Sequence, residues 1–332
     1  MVNFYRKYIA EGKSIAVFSI MISLALRGWL YVDTPTNSYL TEPANLLWDW
    51  VFEATHLELP SLAVMSYLMA LTTSILLSFA AWHYVLIRDR SFLPFSIGLL
   101  IFSSHPYFLI FSPSDLAALI FIVAICLTFD LFQHPAPQWR LFNVGMIASL
   151  ASLISIGVLP YIILLLFALP FFRITNLKNI LAFILGILFI YWIAGTVFVA
   201  LGQWNLFFEH FSQLQQMNIL KVVHFEMIEW GMLSVYLILI LLTFLAYQLT
   251  MHKDKIKTRI LLNYLFFLSF LFYLSYCLLN WDPRLALNLG ISTFVVPLSH
   301  FFALTDSKIK IIFFYVLLVL YLAVSFGLIY FF

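Results

Sequence analysis

The chain has 332 residues, of which 64% are hydrophobic and only 10% are charged. Soluble domains carry about 25% charged residues, so this composition excludes a soluble globular protein and predicts an all-α protein that crosses a membrane several times. The net charge of +2 is too small to predict binding to nucleic acid. Cys126 and Cys277 both lie in apolar segments, where buried thiols are expected rather than a disulfide.

Nine apolar runs have the length of about 20 residues that a membrane-spanning helix needs. These predicted spans are 15–32, 61–87, 92–111, 115–132, 179–201, 230–251, 260–279, 285–303 and 311–331. The stretch 141–172 is too long for one span and too short for two, and Gly157 and Pro160 interrupt its middle. It is predicted to form a broken helical hairpin that enters and leaves the membrane on one side, because irregular backbone at membrane depth is tolerated where protein covers it.

The distribution of basic residues predicts the orientation of the chain. With the N-terminus in the cytoplasm and 141–172 as a hairpin, 14 of the 17 basic residues fall on the cytoplasmic side, which leaves Arg27, Lys221 and Arg284 elsewhere. The cytoplasmic set is Arg6, Lys7, Lys13, Arg88, Arg90, Arg140, Arg173, Lys178, Lys253, Lys255, Lys257, Arg259, Lys308 and Lys310. A single span at 141–172 would move the basic cluster at 252–259 to the outer face, so the charge pattern favours the hairpin.

No loop is long enough to hold a soluble domain, and 1–332 is therefore predicted to be a single integral membrane domain. The two longest outer loops, 33–59 and 202–228, each have the length of one or two short helices. Both are predicted to contain a helix that lies in the membrane interface. In the first loop, one helical face is polar; its members are Glu42, Asn45, Asp49 and Glu53.

The loop 33–59 contains five acidic residues and no Lys or Arg. Acids without basic partners at a membrane surface can act as a general base or hold a divalent cation. Asp33 and Asp49 are the catalytic candidates on this basis. The alternative is that the acids form the solvated face of an interfacial helix. The spacing of the histidines matches no ligand motif, so no metal site is predicted from them.

Three further residues are candidates for substrate binding. Arg27 lies inside the first predicted span, where a charge is costly unless it pairs or snorkels; it either contacts the phosphate of a lipid-linked substrate or pairs with Asp33. Arg284, in NWDPR, is a second candidate for phosphate, unless Asp282 neutralises it within a turn. Asp115 opens a helix in SPSD and either binds substrate or serves helix-end electrostatics.

The order of these features resembles the GT-C superfamily of membrane glycosyltransferases, whose donors are polyprenyl-linked sugars. The first span leads into an acidic outer loop, and a large outer loop follows the span after the hairpin. Two stretches are similar to the superfamily's loop-Pro-aromatic-helix segment and to its broken hairpin; they read SSHPYFLIFSPSDLAALIFIVAICLTFDLF and WRLFNVGMIASLASLISIGVLPYIILLLFALPFF. The resemblance covers about residues 1–230. It implies an acid of the first outer loop as base or metal-associated group, with Tyr39 close to the substrate.

The chain departs from that superfamily at two places. An Asp or Asp-Glu pair usually stands shortly before the Tyr, but the segment before Tyr39 reads TPTNS, so Asn37 takes the acidic position. Asn cannot act as a general base, and Asp33, four residues earlier, would have to substitute. The Thr-Lys that the superfamily often has at the hairpin break is also absent.

Two hypotheses for function therefore remain open. One is a GT-C-like protein that transfers a sugar to or from a polyprenyl-linked substrate at the outer face of a bacterial inner membrane, with membrane lipids and the lipid-linked glycan as partners. The other is a non-catalytic scaffold or assembly subunit of a bacterial envelope complex, with other envelope proteins as partners. The chain also resembles a family of bacterial envelope proteins that share a domain of unknown function. A transporter is disfavoured because few ionisable residues lie in mid-span and no inverted repeat is evident.

Overall fold

The computed structural model describes residues 5–10, 12–33, 48, 59–88, 91–212, 214, 227–279, 282–304, 308, 311–317 and 319, and all regular secondary structure in them is helical. A π-helical turn at Arg6–Ala10 precedes the α-helices. In chain order these are α1 (Ser14–Asp33), α2 (Leu59–His83), α3 (Leu93–Ser104), α4 (Pro113–Thr128), α5 (Gln138–Ile154), α6 (Leu159–Leu165), α7 (Ala168–Phe171), α8 (Leu177–Ala200), α9 (Trp204–Ser212), α10 (Met227–Thr250), α11 (Ile256–Leu278) and α12 (Pro283–Ala303).

Among the described residues, six helices are long and apolar enough to cross a membrane: α2, α4, α8, α10, α11 and α12. Their apolar segments have 19 to 24 residues. At 1.5 Å per residue, such lengths match a hydrocarbon layer of about 30 Å. All six coincide with predicted spans, and the structure fits a multi-pass helical membrane protein.

The predicted count of nine spans is not reached among the described residues. The run 92–111 forms only the 12-residue helix α3, about 18 Å long. Its helix ends because His105 precedes Pro106 and takes an extended conformation (φ −101°, ψ 129°), as residues before proline prefer. The run 15–32 lies within α1, which has 20 residues but is not one of the six helices above. Most of 311–331 lies outside the described residues.

The stretch predicted to be a hairpin reverses direction. Helix α5 ends before Ser155, which is extended (φ −136°, ψ 116°), and a short turn at 156–158 leads into α6 and α7. The break thus begins two residues before Gly157. Beyond α7, the ring of Phe172 contacts the ring of Phe132, which lies just ahead of α5, at 6.3 Å between centroids. The two ends of the stretch therefore lie at the same end of the bundle.

Helix α5 packs closely on α8 through two glycines. A Cβ on Gly145 would meet the carbonyl oxygen of Phe183, and a Cβ on Gly186 would meet the carbonyl oxygen of Phe142. Small residues at such a crossing let two backbones approach, which is a main source of helix association in membranes. The two glycines hold the first half of the hairpin against its neighbour.

Helix α12 lies at the centre of the bundle and α8 lies at its edge. In the apolar window of α12, 89% of the residues are buried, against 17% for α8. The polar side chains of α12 are accordingly inside the protein; they are Arg284, Asn288, Ser292, Thr293, Ser299 and His300. Charged groups lie near the start of this helix, and they define the site discussed below.

Candidate functional site

Arg27 is buried in α1, with 8% of its surface exposed, and it contacts only neutral oxygen acceptors among the described residues. Its guanidinium donates to Ser103 Oγ at 3.3 Å, Ser66 Oγ at 3.0 Å and the carbonyl oxygen of Phe102 at 3.1 Å. The ring of Tyr67 lies 5.4 Å from the guanidinium carbon. No carboxylate among the described residues pairs directly with this cation.

The early end of α3 explains part of this geometry. The last four carbonyl groups of a helix have no partner within the helix, and Phe102 supplies one of them because α3 ends at Ser104. A cation at the C-terminal end of a helix is also favoured by the helix dipole. Ser66 Oγ, from α2, accepts a hydrogen bond from Arg27 and donates its own hydroxyl to the carbonyl oxygen of Phe108. Arg27 thus joins α1, α2 and α3.

Arg284, near the start of α12, forms a buried ion pair with Asp115 near the start of α4. Nη2 lies 2.5 Å from Asp115 Oδ2, and Nε donates to Oδ1 at 3.3 Å. Asn288 Nδ2 donates to the same Oδ1 at 3.3 Å, and the backbone N–H of Ser112 donates to Oδ2 at 3.2 Å. Arg284 also donates to the carbonyl oxygen of Ile110. Asp115 therefore lies in the first turn of α4 and also belongs to a buried ion pair, and its predicted role in substrate binding stays a prediction.

Asp282 and Arg284 make no direct ion pair in the described structure, although the two groups interact electrostatically. Asp282 caps α12 instead, accepting the Leu285 N–H at 2.9 Å and the Ser114 hydroxyl at 2.6 Å. The Ser155 hydroxyl, at the hairpin break, lies 3.5 Å from the same carboxyl. Burial raises the pKa of Asp282 above its ordinary value, which favours the neutral carboxyl.

His105 lies beside this group in a neutral form. Burial lowers the pKa of His105 to about 3, and the positive charge of Arg284 acts in the same direction. Its Nδ1 accepts the backbone N–H of Tyr107 at 3.2 Å. The imidazole therefore adds hydrogen-bonding capacity to the site without adding charge near neutral pH.

These contacts define an arginine cluster, which comprises Arg27, Asp115, Asp282, Arg284 and Asn288. Arg27 is coupled electrostatically to both Asp115 and Arg284, so the two arginines lie near one another. Among the described side chains, Arg284 is engaged by the carboxylate of Asp115, whereas Arg27 contacts neutral acceptors. A buried cation of this kind attracts an anion strongly because water does not screen the interaction.

The structure brings together three of the predicted site residues, Arg27, Asp115 and Arg284. The backbone of Asp33 ends α1, but its side chain is outside the described part of the structure. Asp49 and Tyr39 also lie outside the described residues, as does most of the loop that holds them. The roles predicted for these three residues remain predictions.

The sequence analysis did not predict several residues of the site. Ser66 and Asn288 contact the charged groups from α2 and α12, and His105 lies at the end of α3. A serine or an asparagine in an apolar run gives little indication of its partner. His105 could have been found, since the His-Pro step marks a helix end next to a predicted charged site.

Helix α9 (Trp204–Ser212) lies in the loop 202–228, which is predicted to hold an interfacial helix, and it packs against the hairpin. His210 is buried, its Nε2 lies 3.1 Å from the carbonyl oxygen of Ser152, and burial lowers its pKa to about 4. Phe207 packs on Gly195 of α8, 3.6 Å from the position of an added Cβ. The helix is therefore fixed to α5 and α8.

No group of three or more His, Cys, Asp or Glu side chains in the described residues has the arrangement of a metal site. The divalent cation considered for the loop 33–59 stays a prediction, because that loop lies almost wholly outside them. No protein-family model, curated protein or solved structure matches this chain.

Proposed function

We propose that this chain is a GT-C-like inner-membrane protein that binds the phosphate of a polyprenyl-linked glycan at its arginine cluster. The observation that carries the proposal is the position of Arg27, a buried guanidinium whose contacts in the described residues are all neutral. A buried cation is stabilised by an anion. Guanidinium groups match the geometry of phosphate oxygens, and Arg284 beside it adds to the positive field.

The lipid-linked nature of the substrate is supported by where the cluster lies. Arg27 is about six residues from the C-terminal end of α1, or about 9 Å along the helix axis. Arg284 is the second residue of the buried, apolar α12. Both cations are thus close to the end of apolar helices, the depth at which the headgroup of a lipid meets its hydrocarbon chain. A phosphate there would carry a lipid tail along the apolar surface of the bundle.

The orientation belongs to the same proposal. The N-terminus is cytoplasmic, the hairpin at 141–172 enters and leaves the membrane on the cytoplasmic side, and the arginine cluster lies at the outer face of a bacterial inner membrane. This assignment is supported by the excess of Lys and Arg in the segments assigned to the inside. It also agrees with the two ends of the hairpin lying at one end of the bundle.

The second candidate function is a non-catalytic subunit that uses the same site to hold a lipid-linked glycan or a phospholipid within an envelope complex. It is favoured by the state of the carboxylates near the arginines. Asp115 is engaged by Arg284 and Asn288, and Asp282 caps α12. Neither is an unengaged general base. A catalytic role would therefore rest on Asp33 or Asp49.

Photoaffinity labelling tests the binding site. A polyprenyl phosphate with a photoreactive group near the phosphate should label peptides from the ends of α1 and α3 and from the start of α12. Unlabelled polyprenyl phosphate should compete with the probe, and the neutral polyprenol should not. Labelling spread along α8, which faces outward, would contradict the proposal and indicate ordinary contact with lipid.

Sugar transfer separates the two candidate functions. Reconstituted protein is incubated with a polyprenyl-phosphate sugar donor and a mixture of membrane acceptors, and release of the polyprenyl phosphate is measured. The enzyme hypothesis predicts turnover that falls at least about a hundredfold in Asp33→Asn or Asp49→Asn, as expected for loss of a general base. Binding without turnover would support the non-catalytic subunit.

A further inference from the structure

The last turn of α5 is capped by a buried histidine from α9. Helix α5 ends at Ile154, so its final carbonyl groups have no partner within the helix. The carbonyl oxygen of Ala151 accepts the N–H of Ser155 at 3.1 Å. The carbonyl oxygen of Ser152 lies 3.1 Å from His210 Nε2. His210 therefore joins α9 to the hairpin at its break.

This contact determines which ring nitrogen of His210 carries the proton. A carbonyl oxygen can only accept a hydrogen bond, so Nε2 is the donor. Burial lowers the pKa of His210 to about 4, and the ring is therefore neutral at neutral pH. In a neutral imidazole that carries its proton on Nε2, Nδ1 acts only as an acceptor.

Nδ1 of His210 receives no hydrogen bond from the described residues. The atom is buried, and the whole residue is only 2% exposed. Burial of an acceptor without a donor is costly, and nearly all such atoms in native proteins have a partner. A donor from a bound molecule is therefore expected at this nitrogen.

The neighbouring polar groups hold the ring in place and leave Nδ1 available. Phe211, next to His210, packs on Tyr191 of α8 with ring centroids 5.3 Å apart. The Tyr191 hydroxyl lies 2.6 Å from Ser152 Oγ. Because the Ser152 hydroxyl donates to the carbonyl oxygen of Ser149 at 2.7 Å, Tyr191 is the donor in that contact. Its proton is thus engaged, and Tyr191 does not satisfy Nδ1.

The hairpin break places His210 next to the arginine cluster. The hydroxyl of Ser155 lies 3.5 Å from the carboxyl of Asp282, a member of that cluster. Ser152, which contacts His210, is three residues earlier, or about 4.5 Å along a helix axis. One molecule can therefore reach both the cluster and His210.

We propose that His210 Nδ1 binds a hydroxyl group of the glycan whose phosphate lies at the arginine cluster. The inference rests on the proposed function, which supplies the lipid-linked glycan. A sugar hydroxyl is an uncharged donor, and it suits a buried neutral acceptor better than a cationic donor does, because burial of a charge is costly. A water molecule is the other uncharged donor of this kind, and binding measurements separate the two.

The affinities of the full-length protein for two lipids test this inference. One lipid is a polyprenyl phosphate, and the other is the same lipid with one hexose on its phosphate. The wild type should bind the hexosyl lipid about fivefold more tightly, which is the size expected for one hydrogen bond between neutral groups. A water molecule at Nδ1 would give the two lipids equal affinities.

Two substitutions separate binding of the hydroxyl from the capping of α5. His210→Gln places an amide N–H close to the position of Nε2 and removes Nδ1, so the preference for the hexosyl lipid should disappear. His210→Asn places an amide oxygen close to the position of Nδ1, so the preference should be kept. Glu209→Gln, at an exposed residue of the same helix, is the control and should bind both lipids as the wild type does.

The outcomes distinguish this inference from the proposed function. A preference that is lost in His210→Gln and kept in Glu209→Gln supports the inference. Equal affinities of the wild type for the two lipids, or an unchanged preference in His210→Gln, overturn it and leave the phosphate site in place. If neither lipid binds, the proposed function fails and the inference fails with it. If His210→Gln does not fold, His210→Asn decides: a kept preference supports the inference, and a lost preference overturns it.

Discussion

Arg284 on α12 and Asp115 on α4 form a buried ion pair whose closest approach is 2.5 Å, although 169 residues separate them in the chain. Both side chains are less than a tenth exposed. The pair ties the central helix to α4 at the end of the bundle where Arg27 also lies. It positions Arg284, whereas Arg27 has no carboxylate in direct contact among the described residues.

Removal of Asp115 should strongly destabilise the protein. Asp115→Asn leaves the buried Arg284 without its carboxylate, and such a loss typically costs about 3–5 kcal/mol of unfolding free energy. Thermal unfolding in detergent measures the effect. The matched control is Asp130→Asn, which breaks the half-exposed pair with Arg140 at 3.8 Å and should cost less than about 1 kcal/mol. Equal shifts for the two variants would contradict the assignment of Asp115 to a buried pair.

The glycine contact between α5 and α8 should not tolerate a methyl group. In Gly145→Ala or Gly186→Ala the added Cβ meets a carbonyl oxygen of the facing helix, so the helices must separate and lose packing. Overpacking of this kind costs about 1–3 kcal/mol. Gly28→Ala is the control, because nothing lies within 4 Å of its added Cβ and alanine is the better helix former. The melting temperature should fall in the first two variants and stay level or rise in the third.

His105 should make the protein less stable in acid. Its pKa is about 3 in the folded state, against about 6.5 for an unfolded chain. The unfolded state therefore binds the proton first as the pH falls, and the contribution of neutral His105 is full above about pH 6.5 and is lost towards about pH 3. The loss amounts to about 1.4 kcal/mol per pH unit for one proton.

The acid effect is measured as a difference between proteins. Unfolding free energies of wild type and His105→Gln are compared from about pH 7 to about pH 4, a range chosen from the histidine titration. The unfolding free energy of the wild type should fall more steeply with decreasing pH than that of the variant. Parallel curves would show that His105 is not buried in its neutral form. His252→Gln removes an exposed histidine and should not change the slope.

Several features of this fold follow from sequence alone. The six long spans do so because the thickness of the membrane sets their length, and apolar composition marks them. The hairpin was indicated by Gly157 and Pro160, although the helix ends at Ser155. The run 15–32 is covered by α1 (Ser14–Asp33), and most of 311–331 lies outside the described residues. The run 92–111 forms a shorter helix than predicted because that helix ends before Pro106.

The site was harder to predict because its partners are distant in the chain. Asp282 is two residues from Arg284, and sequence proximity suggested that they pair. Residues two apart do not face each other on a helix, and Asp282 stands before the first turn as its cap. The true partner, Asp115, can be identified only from the packing of α4 on α12. Ser66 and Ser103 can likewise be identified as partners of Arg27 only from the packing of the helices.

Cysteine labelling in intact bacterial cells should test the proposed orientation. Gln203→Cys lies between α8 and α9, and His252→Cys lies between α10 and α11; both positions are exposed. A membrane-impermeant maleimide should label Gln203→Cys from outside, and it should label His252→Cys only after the cells are permeabilised. The reversed pattern would place the arginine cluster on the cytoplasmic side. The native protein is the control for its two partly buried thiols, Cys126 and Cys277.

The affinity of the purified protein for a polyprenyl phosphate tests the arginine cluster most directly. Arg27→Gln keeps a hydrogen-bonding side chain but removes the charge, and loss of a charge-assisted bond costs about 1.5–3 kcal/mol. The dissociation constant should therefore rise by about tenfold or more. Arg140→Gln, at a partly exposed basic residue of the other end, should bind as wild type does. Equal affinities for the phosphate and the neutral polyprenol, or an unchanged affinity in Arg27→Gln, would contradict the account.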